Sequence, residues 1–210
     1  MKDEDPYKGH RNHWDDAYLS KGDRNVSWFE EIPAVSLRLI AELPGRKDAL
    51  IDVGGGTSRL AAGVLDLGFR HVTVLDLSPE ALGNARAALG DDAARVEWIV
   101  ADVTKWNSKR RYDIWHDRAV FHFLTHESDQ AAYVRTLDAA LEPDGHAIIA
   151  TFAPDGPERC SGLPVQRYSP QSLSQTLGPS FNLVGSLGHI HVTPWNSTQA
   201  FQFSVFRKVP

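Results

Sequence analysis

Residues 49–58 read ALIDVGGGTS, a short apolar run followed by three consecutive glycines. The run is too short for a helix and has the unbroken apolar character of a strand buried on both faces. The glycines let the backbone turn tightly and come close to a ligand. A helical spacing begins at about residue 58 and extends to 67. The free N–H groups and positive dipole end of that helix therefore face the turn.

The same alternation continues along the chain. Strands are expected at 71–76 (HVTVLD), 96–101 (VEWIVA), 112–116 (YDIWH) and 146–152 (HAIIATF). Helices are expected at 79–89 and 127–141, and a shorter one at 170–177. Ser78-Pro79 and Ser169-Pro170 each place an N-cap serine before a proline in the first helical turn. Two strands close the chain, near 181–192 and 200–208, with no long helix between them. Repeated strand–helix units imply a parallel sheet with helices on both faces, and the closing pair implies an antiparallel hairpin at one edge. Upstream, 34–43 (AVSLRLIAEL) has helical spacing between Pro33 and Pro44. The expected fold is α/β: a Rossmann-like, doubly wound, seven-stranded sheet with the last strand antiparallel and an N-terminal helical lid. One domain is expected over 1–210, with lid and helix at 1–45, ligand-binding core at 46–152, and a loop with the closing hairpin at 153–210.

Composition narrows the function. The 210 residues hold 27 acids against 22 Lys and Arg, a net charge of −5. Duplex DNA binding normally requires a basic footprint, so no nucleic-acid partner is expected. Cys160 is the single cysteine, which excludes an intrachain disulfide and a multi-cysteine zinc site. The first thirty residues are polar and charged, and no apolar run approaches the ~20 residues of a membrane span. A cytoplasmic protein without a membrane partner is expected. All the acids lie within 1–158; residues 159–210 carry none, against Arg159, Arg167, Arg207 and Lys208.

In sheets of this kind ligands bind beyond the carboxyl ends of the strands. Three such ends carry suitable groups. The first has Gly54, Gly55 and Gly56. The second has Asp76, 22 residues after Gly54, where a carboxylate accepts hydrogen bonds from both hydroxyls of a ribose. The third has Asp102-Val103, a carboxylate and a backbone N–H that suit an adenine edge. Together they point to a nucleoside cofactor. A dinucleotide fingerprint would require glycine at position 59, which is arginine. Asp52 lies inside the strand end and suits a ligand with a cationic end better than a pyrophosphate.

ALIDVGGGTSRLA, VTVLDLSPEAL, VEWIVADV, YDIWHDRAVFHFL and LEPDGHAIIATF, spread over about 49–152, resemble class I S-adenosylmethionine-dependent methyltransferases. The resemblance implies S-adenosyl-L-methionine as cofactor. It implies that Asp52, Gly54 and Gly56 hold the methionine end, Asp76 the ribose, and Asp102 with Val103 the adenine. Gly55, Ser58, Leu77, and His116 and Asp117 after the fourth strand, are further cofactor-binding candidates. Ser58 stands where many members have a further glycine. GGGTS and Asp117-Arg118-Ala119 are similar to the subgroup that includes lysine methyltransferases of translation elongation factors. His13-Trp14-Asp15-Asp16-Ala17-Tyr18, with Trp28 further on, resembles the segment before the core in that subgroup and in thiopurine methyltransferases. There it folds over the cofactor. Trp14 and Trp28 suit either an aromatic face beside a sulfonium or plain packing of the lid.

Acceptor groups are sought after strands four and five and in the closing hairpin. His116, His122 and His191 are candidate general bases, because an imidazole titrates near working pH; capping or packing is the alternative for each. Arg118 and Arg159 are candidates to hold an anionic substrate, and Trp195 to wall an apolar one. Cys160 is taken as a passive thiol. His189 and His191 share a strand face, but no third ligand with motif spacing accompanies them, so no metal is expected. The acid-free tail favours a small neutral or anionic acceptor. A protein lysine is the second reading, and a non-catalytic S-adenosylmethionine-binding protein the third.

Overall fold

The computed structural model describes residues 8–22 and 25–210. Residues 1–7 and 23–24 of the expected lid lie outside the described residues. The main strands are β1 (Ala49–Val53), β2 (His71–Asp76), β3 (Val96–Val100), β4 (Tyr112–Arg118), β5 (Leu141–Phe152), β8 (Phe181–Val192) and β9 (Thr198–Lys208). A small hairpin, β6 (Arg159–Cys160) and β7 (Leu163–Pro164), sits in the long loop after β5. The helices are α1 (Lys8–Lys21), α2 (Ala34–Glu42), α3 (Leu60–Asp66), α4 (Pro79–Leu89), α5 (Glu127–Ala140) and α6 (Pro170–Leu177).

The seven main strands form one sheet in the order β3-β2-β1-β4-β5-β9-β8. All run in one direction except β9, which is antiparallel to both β5 and β8. The last strand of the chain is thus an inner strand, and β8 takes the edge. Every residue of β1 is buried, as its unbroken apolar run requires between two helical layers. Alternate side chains feed two cores. Leu50, Ile114 and Ile148 pack with α2, α3 and α4 on one face. Ile51, Trp115 and Ile149 pack with Tyr133 and Leu137 of α5 and Leu173 of α6 on the other.

Both serine–proline signals perform as local chemistry requires. Ser78 Oγ accepts from Ala81 N at 3.1 Å, and Ser169 with Ser172 forms a reciprocal capping box. Three boundaries differ from the expectation for identifiable reasons. Helix α3 starts at Leu60 rather than 58 because Ser58 N closes the turn onto Gly55 O and Ser58 Oγ accepts from Leu60 N at 3.1 Å. Strand β4 runs on to Arg118 because Asp117 and Arg118 pair with Ile149 and Ala150 of β5. Strand β5 begins at Leu141, with an irregular stretch opposite Tyr112–Ile114.

Register then fixes the site. Val53 pairs with Leu75 and with Asp117, and Asp76 pairs with Val100. Gly54, Leu77, Ala101 and the residues after Asp117 therefore leave the sheet at one edge. Gly54 has φ +64° and its N–H donates to Leu75 O at 2.6 Å. A Cβ on Gly54 would lie 1.9 Å from Val120 Cγ2. Gly54→Ala combines left-handed backbone strain with overpacking and is expected to cost about 2–4 kcal/mol. Urea unfolding measures it, and adding Val120→Ala should recover the steric share but not the backbone share.

Candidate active site

A cavity of about 520 Å³ opens at the carboxyl edge of the parallel strands. Gly54, Leu75, Asp76, Leu77, Asp102 and Val103 line it, so the ends of β1, β2 and β3 meet there as the sequence implies. At β2, Asp76 Oδ1 accepts from Ser78 N at 2.8 Å. Burial pushes the Asp76 carboxyl up to about 6, against the backbone N–H groups of Ser78, Gly56 and Leu77, which favour its charged form. At β3, Asp102 Oδ1 accepts from the backbone and hydroxyl of Thr104 at 2.9 and 2.7 Å. Its other oxygen, Oδ2, is buried with no hydrogen-bond partner. A buried, unpaired carboxylate oxygen on a cavity wall calls for a ligand donor such as an amino group.

The remaining wall is apolar. Trp14 and Trp28 line it and pack edge to face at 5.7 Å; Trp14 also meets Phe123 at 5.0 Å. Helix α1 is fastened to the core by Ser78, whose hydroxyl donates to Asp15. Tyr18, Phe123, Leu124, His126, Asp129 and Leu163 also line the cavity. Tyr18 belongs to the segment that the resemblance folds over the cofactor; Leu124, His126 and Asp129 are not singled out in the sequence because they lie outside the strand-end motifs. At Phe123 the neighbouring His122 drew attention instead.

Other expected site residues sit close by without reaching the cavity. Asp52, Gly55, Ser58 and His116 line a recess of about 40 Å³ behind the glycine turn. Gly56 lines neither space; a Cβ there would lie 2.5 Å from the Tyr18 hydroxyl. His116 is buried, with Nδ1 2.7 Å from Asp52 Oδ1 and Nε2 2.9 Å from Ser36 Oγ. With both nitrogens engaged it links α2 to β1 and has no free position for a substrate proton.

Asp117, expected at the cofactor, and the acceptor candidates need larger corrections. Asp117 is fully buried and accepts from Val120 N at 2.8 Å, Phe121 N at 3.1 Å and Tyr133 Oη at 2.6 Å. It caps the turn after β4 and lies away from the cavity. His122 is fully buried among Phe123 and Phe152, and burial lowers its pKa to about 3. Enclosed and so weakly basic, this imidazole cannot take up a substrate proton. His191 is buried under the N-terminal segment, where Nε2–H donates to Ser27 O at 2.8 Å. Arg159 is exposed and turns back onto Gly162 O of its own hairpin. Trp195 is 55% exposed in the β8–β9 turn.

The basic residues of the acid-free tail are likewise engaged elsewhere. Arg167 pairs with Glu158, Arg207 with Asp144 and Lys208 with Asp138. Among the expected acceptor groups Arg118 does line the cavity, beside Cys160. Its Nη1 donates to Trp28 O at 2.8 Å, its Nη2 lies 3.3 Å from Glu30 Oε1, and its guanidinium stacks on Phe201.

Residues 50–145 match the family model described as a methyltransferase domain. Nodulation protein S of Rhizobium fredii is 26% identical over 82 residues, 39% of this chain and 46% of that protein. Malonyl-[acyl-carrier protein] O-methyltransferase 1 of Ilyobacter polytropus is 28% identical over 104 residues, 49% of this chain and 37% of that protein. The matched stretch thus spans less than half the length of these curated relatives. Among solved structures, the Burkholderia thailandensis 1,6-didemethyltoxoflavin-N1-methyltransferase, bound to 1,6-didemethyltoxoflavin and S-adenosylhomocysteine, superposes with a TM-score of 0.71 at 23% identity. That match covers 100% of this chain and 93% of the other. Residues 50–145 thus carry a methyltransferase-domain match, and the chain has the α/β, Rossmann-like methyltransferase fold. No helix among the described residues is long and apolar enough to cross a membrane.

The Asp117 network yields a test of the site's support. Tyr133 Oη donates to Asp117 and accepts from Trp115 Nε1 at 2.8 Å. Burial already pushes Asp117 up to about 6, so its charge depends on its donors. A raised folded pKa gives stability that is full at acid pH and lost as pH rises through about 6. Tyr133→Phe removes a donor to the charged form and raises that pKa further. The variant is expected to lose about 2–3 kcal/mol at pH 8 and clearly less at pH 5, measured by urea unfolding at both.

Proposed function

We propose that this protein transfers a methyl group from S-adenosyl-L-methionine to a small molecule that is neutral and largely apolar. The unpartnered Asp102 Oδ2 in a cavity shared with Asp76 and Gly54 carries the reading. In this reading Asp102 would accept from an adenine amine, with Val103 alongside. Asp76 would accept from the ribose hydroxyls, and Gly54 would let the backbone approach the methionine end. When bound, the cofactor supplies a methyl group on a positively charged sulfur, open to in-line attack by a lone pair of the acceptor. The chain's own residues act by enclosing and orienting: Trp14, Trp28 and Phe123 line the cavity as an apolar wall, where an aromatic face beside a sulfonium would be favourable.

The acceptor follows from the same wall. Arg118 already has Glu30 against its charge, so an anion gains little there. A lysine ammonium is a poor match for a pocket end holding a guanidinium. With His116, His122 and His191 withdrawn, positioning carries the rate, and the acceptor atom is one that gives up its proton readily or has none to lose.

Incubation with extract and methyl-labelled cofactor should place label in the small-molecule fraction. Label confined to protein would move the acceptor class, and no turnover to S-adenosylhomocysteine would overturn catalysis. Asp76→Ala should weaken S-adenosylhomocysteine binding by about 1.5–3 kcal/mol, roughly ten- to hundredfold. In the parent protein the carboxylate is lost as pH falls through about 6. Affinity should therefore drop between pH 7 and 5, by up to about tenfold per unit, whereas Asp76→Asn should show a flatter profile by calorimetry.

A further inference from the structure

The structure assigns a transition-metal site to Glu30, His189 and His191, where the segment carrying Trp28 meets the edge strand β8. The three residues offer ligand atoms that all lie within 4.8 Å of one another. His189 and His191 share one face of β8 by strand alternation. Sequence reading found no third ligand because Glu30 lies some 160 positions earlier and reaches them only through the fold.

His191 is already oriented as a ligand. Its Nε2–H donates to Ser27 O at 2.8 Å, which leaves Nδ1 directed at Glu30. Metal-bound histidines characteristically give their other ring N–H to a carbonyl or carboxylate in this way. Nδ1 stands 3.5 Å from Glu30 Oε1. Two acceptor atoms face each other stably only with a cation between them, either a proton or a metal ion. The separation is longer than a typical N–H···O bond. It is close to the ~3.3 Å edge of a tetrahedron with metal–ligand bonds of about 2.0–2.1 Å.

Two charges oppose a cation here: Arg118, whose Nη2 lies 3.3 Å from Glu30 Oε1, and Arg38, which acts on His189. The Arg118 guanidinium is also held by Trp28 O and the Phe201 ring, so Glu30 can bridge Arg118 and the ion as a hydrogen-bonded ligating carboxylate. One carboxylate and two imidazoles suit Zn²⁺, Co²⁺ or Ni²⁺, whereas Mg²⁺ and Ca²⁺ demand several oxygens. The ion would clip the segment around Ser27–Glu30, and with it the cavity wall at Trp28, to the sheet. A fourth position remains for water.

The test uses untagged full-length protein stripped with chelator and titrated with Zn²⁺ by calorimetry and with Co²⁺ by visible absorption. One equivalent is expected to bind, with tetrahedral Co²⁺ bands, and to slow proteolysis of the segment before residue 34. His189→Ala, His191→Ala and Glu30→Gln should each weaken binding by at least the ~10–100-fold that loss of an outer-shell partner costs. His189 is half-buried, so its variant remains informative if His191→Ala folds poorly. Absence of saturable binding, or binding indifferent to His189→Ala and Glu30→Gln, would overturn the site. S-adenosylhomocysteine binding measured in chelator on the same sample separates this outcome from failure of the methyltransferase reading.

Discussion

The cavity depends on the contact between Gly54 and Val120. The two belong to turns that leave neighbouring strands, and only a residue without a Cβ lets them close to this distance. Asp117 sets the partner in place by accepting from the N–H groups of Val120 and Phe121. Tyr133 and Trp115 in turn hold Asp117. A chain of hydrogen bonds within the α5-side core thus decides where the turn after β4 lies, and so how β1 presents its backbone to a ligand. Residues with no ligand contact are as necessary to the site as those on its wall.

Burial has opposite consequences for the two acids raised to about 6. Asp117 spends its acceptor capacity on the protein, and its charge is structural. Asp76 shares the same cost of desolvation, but it lies on the cavity wall, where ligand hydroxyls can offset that cost. Asp102 completes the pattern, with one oxygen held by Thr104 and the other left unpaired. Buried polar groups that the fold leaves unmatched are informative about ligands because the protein gains nothing from them alone.

The N-terminal segment is integral to the wall. Asp15 meets Ser78 at the start of α4, Trp28 offers its carbonyl to Arg118, and Ser27 offers its carbonyl to His191. These contacts join the segment to both halves of the sheet across the cavity mouth. Glu30, close to Arg118 and His191, turns three charged or titratable groups into one fastening.

The sequence by itself determined the parallel core, the glycine turn, the serine–proline helix starts, and the acids that end β2 and β3. All of these are local: period, cap chemistry and the carboxyl edge of a strand are written in a few consecutive residues. Tertiary packing decided the fate of the histidines. On β4, alternation sends Trp115 and Asp117 to the α5 side and His116 to the opposite side, against Ser36 and Asp52. In the 3₁₀ turn Phe121–Phe123, rotation buries His122 and gives Phe123 to the cavity. The acid-free tail suggested an anion pocket, yet Arg207 and Lys208 meet Asp144 and Asp138 from distant parts of the chain, and Arg159 and Arg167 are taken by Gly162 O and Glu158 in their own loop. Which way a side chain faces, and which charge stands opposite it, depends on partners far apart in sequence, and only the folded chain brings them together.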